Sequence, residues 1–225
     1  MNKIYAPTKS ADDWKKLLAE PQKQWKKGFS ARTLAYTWEK AVGFPPEIKQ
    51  AFAKSDSFQG IELLLAIPEH QVALPGGGHP SQNDLWVLGK MKTGLVSIAV
   101  EGKVSEPLGP TVNDWCKNAS KGKKERLAYL LSLFSFNLES IGKIRYQLLH
   151  RTASSIIEAQ RFGANRAMMM IHSFSPYCEW FDDFHAYAAL FDIDAQCDQV
   201  HRVGRVSDIE LFLAWIRGDE QYLSV

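Results

Sequence analysis

Residues 95–104, LVSIAVEGKV, constrain the fold more than any other segment of the chain. The segment carries aliphatic side chains on both faces of an extended chain. A strand that is apolar on both faces is covered on both sides, as in the central strands of α/β proteins. The segment closes with Glu101, Gly102 and Lys103, so two charged side chains end a strand that we predict to be buried.

Two further aliphatic runs precede this strand. Residues 61–67 (IELLLAI) end at Pro68, and residues 85–88 (LWVL) follow Asp84. Short apolar runs bounded by turn residues are typical of strands. We therefore predict three neighbouring strands joined by tight connections.

Helical patterns surround the predicted strands. They predict helices at 10–21 and 30–43, a long helix at about 143–162, a strand at 166–174 and a helix at 180–191. Ser207 and Glu210 form a capping-box pattern before an apolar stripe, which predicts a terminal helix. The expected fold is α/β, with a small mixed sheet flanked by helices and extra helices at both ends. We predict one domain over residues 1–225, with a core at about 30–174 and helical additions at 1–29 and 175–225.

The net charge excludes long-range attraction of a polyanion by the whole molecule. Lys and Arg number 27 against 25 Asp and Glu, so the formal net charge is only +2. Contact with nucleic acid would need a local patch, and basic residues do cluster at Lys117, Lys121, Lys123, Lys124 and Arg126. Such a patch would supply salt-dependent binding to nucleic acid, although a solvated surface uses the same residues.

The sequence favours neither secretion nor membrane insertion. Charges interrupt the first twenty residues where a signal peptide would be apolar, and the longest apolar runs fall far short of the roughly 20 residues that cross a bilayer. The three cysteines, Cys116, Cys178 and Cys197, are too few and too scattered for a disulfide framework. We therefore expect a cytoplasmic protein with no membrane partner.

Charged residues at the ends of the predicted strands indicate a metal site. Glu101 and Lys103 share one face of their strand, and burying both costs several kcal/mol unless they are paired or bound. If the preceding strand forms a hairpin with this one, Asp84 lies beside Glu101. Two such carboxylates repel each other unless a cation intervenes, and Mg²⁺ or Mn²⁺ meets that need. Lys103 could then orient or deprotonate a water, or stabilise charge on a phosphate.

A structural ion pair at a strand end is the competing interpretation. A carboxylate followed two residues later by lysine also occurs at Asp13 and Glu47, both in polar surface segments. Only Glu101 closes a buried strand and has an acid at the start of the preceding strand. That context favours a metal site.

These residues resemble the motif of the PD-(D/E)xK nuclease superfamily, whose fold is called restriction endonuclease-like. The resemblance lies in residues 81–84 (SQND) and 100–103 (VEGK). The predicted order of helix, three strands, helix and strand is similar to the αβββαβ core of that superfamily. The resemblance covers about residues 30–174.

The resemblance implies Mg²⁺-dependent hydrolysis of phosphodiester bonds, with DNA favoured over RNA as substrate. It implies that Asp84 and Glu101 are metal ligands, that the Gly102 carbonyl is a further ligand and that Lys103 is the catalytic lysine. Many nucleases that cut both strands pair their active sites, so a homodimer is an expected arrangement.

The chain departs from the motif at Asn83, which stands where the name of the motif has proline. The loss of proline does not remove a metal ligand, because the ion would be bound by the acid, Asp84. The superfamily often has a carboxylate on its first core helix; Glu39 is the candidate, with Glu62 as competitor. Gln147 is the nearest match to a glutamine that some relatives carry, and Arg151 lies one turn later. This pair could contact phosphate or form an exposed polar face.

Two other functions fit the same residues. A non-catalytic module that binds nucleic acid or protein would bind in a salt-dependent way without metal and would release no products. A small-molecule enzyme could use the same pocket.

Overall fold

Six strands form one mixed sheet in the computed structural model, which describes Ile4 and residues 8–225. The strands are β1 (Glu62–Val72), β2 (Ser81–Met91), β3 (Gly94–Lys103), β4 (Arg166–Ser173), β5 (Gln199–Val206) and β6 (Ile209–Arg217). Their order across the sheet is β1-β2-β3-β4-β6-β5. The first three strands are antiparallel, β4 is parallel to both β3 and β6, and β5 returns antiparallel to β6.

Helices precede the sheet and fill its long connections. They are a 3₁₀ helix (Ala11–Leu17), α1 (Pro21–Gln24), α2 (Ser30–Lys40), α3 (Pro46–Ala53), α4 (Val112–Cys116), α5 (Lys121–Phe134), α6 (Leu138–Ile141), α7 (Tyr146–Arg161), α8 (Phe181–Ala189) and a final 3₁₀ helix (Glu220–Ser224). Among the residues that the structure describes, no helix has the length and apolar composition needed to cross a bilayer.

Each face of the sheet packs against its own set of helices. Met168 and Met170 on β4 belong to an apolar cluster with residues of α2 and α3. Met169 and Ile171, which point to the other face, belong to a second cluster with residues of α7 and α8. This alternation follows from the two-residue period of a strand. The predicted α/β class, a mixed sheet flanked by helices, is confirmed.

The predicted terminal helix is wrong. Residues 209–217 form strand β6, which lies between β4 and β5 and is buried along almost its whole length. Because both faces of β6 are covered, its side chains are apolar at nearly every position, and such a run satisfies a helical period as well as a strand period. The addition at 175–225 therefore consists of α8, a β-hairpin and the final 3₁₀ helix rather than helices alone.

Glu106 fixes the position of α2 relative to the end of β3. Its Oε1 accepts a hydrogen bond from the Ser30 N–H at 2.8 Å, and its Oε2 accepts one from the Val104 N–H at 3.0 Å. The carboxylate thus caps the first turn of α2, where backbone N–H groups lack partners within the helix. The start of α2 is held beside the charged end of β3.

Candidate active site

The charged ends of β2 and β3 meet at one edge of the sheet. The pairing of Leu85 with Val100 places Asp84 beside Glu101. The Gly102 N–H donates to Oδ2 of Asp84 at 2.8 Å, and Nζ of Lys103 donates to Oε1 of Glu101 at 2.9 Å. The structure therefore brings together the three side chains that the sequence predicts for the site.

A third carboxylate, which the sequence does not predict, joins them from β1. The pairs that flank it, Pro68 with Leu85 and His70 with Asn83, place Glu69 opposite Asp84. The backbone of Glu69 has φ of 53°, a left-handed conformation that is uncommon for a residue with a side chain and that clusters at functional sites.

All three carboxylates line one open cavity of about 440 Å³. Lys103 lines it from the sheet, and Gln147 and Arg151 line it from α7. The segment from α1 to the start of α2 forms the facing wall. The cavity has the size and the convergent polar groups that are typical of a ligand site.

Arg151 and Gln147 both bind Glu101. Nε of Arg151 donates to Oε2 at 2.6 Å, and Nε2 of Gln147 donates to Oε1 at 2.6 Å. The two residues lie one turn apart on α7, which brings both to the same face of the helix. With Lys103, three donors hold one carboxylate, so the orientation of Glu101 is fixed before any ligand binds.

The ionisation of the carboxylates is unequal. Burial, and then the negative charge of Glu101, raises the pKa of Asp84 to about 7. Burial, and then the charge of Asp84, raises the pKa of Glu69 to about 8. Burial also opposes ionisation of Glu101, but Arg151 and Lys103 outweigh it and hold the pKa of Glu101 below its usual value. The nearby cations thus outweigh burial for Glu101 but not for Asp84 and Glu69.

Lys103 keeps its proton. Burial disfavours its charge, but Glu101 and Asp84 outweigh this effect and raise the pKa of the Lys103 amine above its usual value. In this arrangement the side chain is an ammonium group, which donates hydrogen bonds and cannot accept a proton.

The donor set fits a hard divalent cation. Among the described residues, four carboxylates (Glu69, Asp84, Glu101 and Glu106) and three cations (Lys23, Lys103 and Arg151) line the cavity, so the fully ionised site would carry one uncompensated negative charge. Within the described ranges, no three His, Cys, Asp or Glu side chains are arranged to enclose a metal. Mg²⁺ needs no such cage, since it commonly takes one or two carboxylates and keeps several waters.

Gln147 supports the same fit. Its Oε1 is buried and has no hydrogen-bond partner among the residues that the structure covers. An unpaired buried acceptor is costly, and a water in the cavity would satisfy it.

The other predicted acids lie elsewhere. Oε1 of Glu39 accepts a hydrogen bond from Nε1 of Trp14 at 2.9 Å, and Glu39 lines a different cavity. The reason is that the start of α2, not its end, faces the site. Glu62 pairs with Lys90 at the far end of β1. The prediction that Glu39 or Glu62 adds a carboxylate to the metal site is therefore corrected, because Glu69 is the residue that lies beside Asp84.

The predicted basic patch does not line the cavity of Asp84. Lys121, Lys123 and Lys124 lie at the start of α5, where the Lys121 ammonium is 3.8 Å from Glu125. Lys123 lines a neighbouring cavity.

Comparison with known proteins assigns the chain to one family. No curated protein and no solved structure matches the chain. One family model, described as Domain of unknown function (DUF6946), matches residues 7–220. That range contains every residue of the candidate site. The chain therefore belongs to the DUF6946 family.

Proposed function

We propose that the protein is a divalent-metal-dependent nuclease that hydrolyses phosphodiester bonds, with DNA as its expected substrate. The observation that carries this proposal is the convergence of Asp84, Glu101 and Lys103 in an open cavity. The same residue types, at the ends of adjacent strands, define the motif of the PD-(D/E)xK nucleases that the sequence resembles. The excess of carboxylates over cations supports a site built for a metal ion.

Asp84, Glu101 and the carbonyl of Gly102 would hold Mg²⁺ or Mn²⁺, and Glu69 would add a carboxylate beside Asp84. When bound, the ion would lower the pKa of a water and neutralise charge on the scissile phosphate. The Gly102 N–H, which donates to Asp84, keeps that carboxylate oriented.

The remaining side chains would position and stabilise the phosphate. Lys103 presents an ammonium group that can stabilise negative charge as it develops on a phosphate oxygen. Arg151 and Gln147 keep Glu101 in one orientation, so no reorganisation of that carboxylate is needed during the reaction. Arg151 also places a permanent positive charge in the wall of the cavity.

A non-catalytic binding module remains the second candidate, and one observation favours it. Both oxygens of Glu101 are already engaged by protein groups, so this carboxylate needs no ion to be stable. A module would bind nucleic acid or protein without metal and would release no products.

A cleavage assay tests the proposal. The purified full chain is incubated with supercoiled plasmid, linear duplex and single-stranded DNA, in Mg²⁺, in Mn²⁺ and in EDTA. We expect metal-dependent products, and a loss of about a hundredfold or more in rate for Asp84→Asn and Lys103→Met. Thermal unfolding of each variant checks that it is folded. Unchanged cleavage by folded Asp84→Asn would falsify the assignment, and binding in EDTA without products would favour the module.

A further inference from the structure

A second cavity, of about 330 Å³, lies next to the active site. Ser81 lines this second cavity. Its Oγ accepts a hydrogen bond from Nη1 of Arg151 at 3.0 Å and lies 2.8 Å from Nδ1 of His150, which lines the second cavity. The two cavities are therefore neighbours connected by one hydrogen-bonded chain.

The two cavities have opposite charge. Glu69, Asp84, Glu101 and Glu106 line the first, whereas no acid is among the described residues that line the second. The second cavity instead contains Lys123 and Arg126, and α5 begins at its edge.

The start of α5 is itself unusual. Lys121, Lys123 and Lys124 occupy its first turn, which contains no acidic residue. The positive end of a helix dipole disfavours such cations, and an anion bound there would relieve the repulsion. The first cavity suits a cation and the second suits an anion.

Three hydrogen-bond donors remain for a ligand in the second cavity. Nη1 of Arg151 lies 3.4 Å from Nδ1 of His150. Because arginine can only donate, Nδ1 is the acceptor, and the neutral His150 ring therefore carries its proton on Nε2. No described residue accepts from that Nε2. The Tyr146 hydroxyl is buried, with 7% of the residue exposed, and its neighbour Arg126 can only donate, so no described residue accepts its hydrogen. Lys123 donates once, to the Trp115 carbonyl at 3.0 Å, which leaves two of its hydrogens.

Aromatic rings form one side of this cavity. Trp115 and Tyr146 stack with ring centroids 3.9 Å apart, and the His150 ring lies 4.7 Å from that of Tyr146. A row of rings beside cationic donors suits a ligand that combines a flat ring with an anionic group.

The glycine turn keeps the cavity formed without a ligand. Arg126 donates to the carbonyls of Leu74, Pro75 and Gly77 and so holds the turn against α5. A Cβ added at Gly76, where φ is 72°, would lie 2.2 Å from the backbone N of Arg126. The turn can approach the helix this closely only because it lacks side chains.

We propose that this second cavity binds a nucleotide, with the phosphate at the start of α5 beside Lys123 and the base against the row of rings. The nucleotide is either free or the end of a strand. This inference does not depend on hydrolysis at Asp84, although Ser81, which accepts a hydrogen bond from Arg151 of the active site, would place such a strand end next to that site.

Isothermal titration calorimetry in EDTA tests the inference. The probes are adenosine 5′-monophosphate, adenosine and inorganic phosphate, titrated into the full chain. We expect the monophosphate to bind and Lys123→Met to weaken it about tenfold or more, as for the loss of one charge-assisted hydrogen bond. Tyr146→Phe, which keeps the ring, should weaken it about threefold to tenfold. Lys90→Met, an exposed lysine on β2 away from this cavity, is the matched control and should bind normally.

Three results would overturn the inference. They are no binding of the monophosphate at about 10 mM, equal affinity for inorganic phosphate, and equal affinity for adenosine. A second set of titrations compares an oligonucleotide with and without a 5′-phosphate. The affinity of the phosphorylated strand is also compared with that of the monophosphate. A higher affinity of the phosphorylated strand identifies a strand end as the ligand, and equal affinities of these two probes identify a free nucleotide.

The Asp84→Asn variant separates this inference from the proposed nuclease activity. It should lose cleavage and keep nucleotide binding. A chain that binds nucleotide but never cleaves contradicts the nuclease proposal alone, and a chain that cleaves without binding nucleotide contradicts the present inference alone.

Discussion

Nε of Arg151 on α7 donates to Oε2 of Glu101 at the end of β3, over 2.6 Å, with only 9% and 4% of the two side chains exposed. The same guanidinium reaches Ser81 on β2. One arginine therefore joins the long helix to the two strands that carry the site. Its loss would leave the buried Glu101 with Lys103 as its one cationic partner among the described residues.

Replacing Arg151 with Met should destabilise the fold strongly. Removing one partner of a buried ion pair costs about 3–5 kcal/mol, because the remaining charge stays buried. The free energy of unfolding in urea measures the change. Arg202→Met is the control, since its ion pair with Glu210 is exposed and should contribute at most about 1 kcal/mol. Equal effects of the two substitutions would mean that the Arg151 pair is not structural.

The structure assigns the third carboxylate of the site to Glu69 instead of Glu39. Glu69→Gln should slow metal-dependent cleavage by about tenfold or more, since it removes a charge beside Asp84. Glu39→Gln keeps an oxygen that can accept from Trp14 and should cleave at the rate of the unchanged chain. The rate of plasmid nicking in Mg²⁺ decides between them, and the reverse order of effects would restore the prediction from the sequence.

The metal-free protein should lose stability as pH rises. Asp84 and Glu69 have pKa values of about 7 and about 8 in the folded chain, above their usual 3.8 and 4.5. The folded chain therefore retains protons that the unfolded chain has released, so the contribution of these two acids to stability is full below about pH 4 and is lost as pH rises to about 8. Mg²⁺ requires the deprotonated acids and should stabilise more at pH 8 than at pH 6.

Thermal unfolding between pH 5 and 9, in EDTA and in Mg²⁺, measures both effects. In the double variant with Asp84→Asn and Glu69→Gln, the midpoint temperature of unfolding should no longer decrease as pH rises from 6.5 to 8. Mg²⁺ should change this temperature little. A Mg²⁺ shift that persists in this variant would place the ion elsewhere.

Below about pH 6.5, His150 should make stability decrease as pH falls, which is the opposite of the effect of Asp84 and Glu69. Burial, and then the nearby Arg151 and Arg126, lower the pKa of His150 well below 6.5. The unfolded chain takes up this proton near pH 6.5 while the folded chain does not, so stability falls as pH decreases below 6.5. His150→Gln should reduce the loss of unfolding free energy between pH 6.5 and 5. An unchanged slope would show that the ring is protonated in the folded chain.

The strands that carry the site could be predicted because burial on both faces leaves a strong pattern. Residues 95–104 and 166–174 correspond closely to β3 (Gly94–Lys103) and β4 (Arg166–Ser173). The meeting of Asp84 and Glu101 followed from the hairpin alone, since adjacent antiparallel strands bring the start of one beside the end of the other.

Glu69 could not be predicted in the same way. The aliphatic pattern predicts a first strand that ends at Pro68, and proline cannot donate to a neighbouring strand. The structure places β1 at the edge of the sheet, where proline is tolerated, and the strand continues to Val72. Position in the sheet, which depends on distant strands, decided whether Pro68 ended the strand.

The hairpin of β5 and β6 was hidden by its turn. Val206 pairs with Ile209, so Ser207 and Asp208 form a two-residue turn, and both have positive φ, 47° and 64°. Such a turn is most often Asn-Gly, since both positions need a left-handed backbone. In the sequence, Ser207 and Glu210 instead have the spacing of a helix capping box, which predicts a helix.

Replacing the turn residues should therefore stabilise the hairpin. Ser207→Asn with Asp208→Gly fits the backbone that the turn already adopts, and we expect a gain of about 0.5–2 kcal/mol in the free energy of unfolding. The hydrogen bond from Arg205 to residue 208 uses the backbone carbonyl and is kept. Asp208→Pro is the opposing variant, because proline cannot adopt positive φ, and it should destabilise. Urea denaturation measures both. If the segment were the helix that the sequence favours, the glycine would destabilise by about 1 kcal/mol instead.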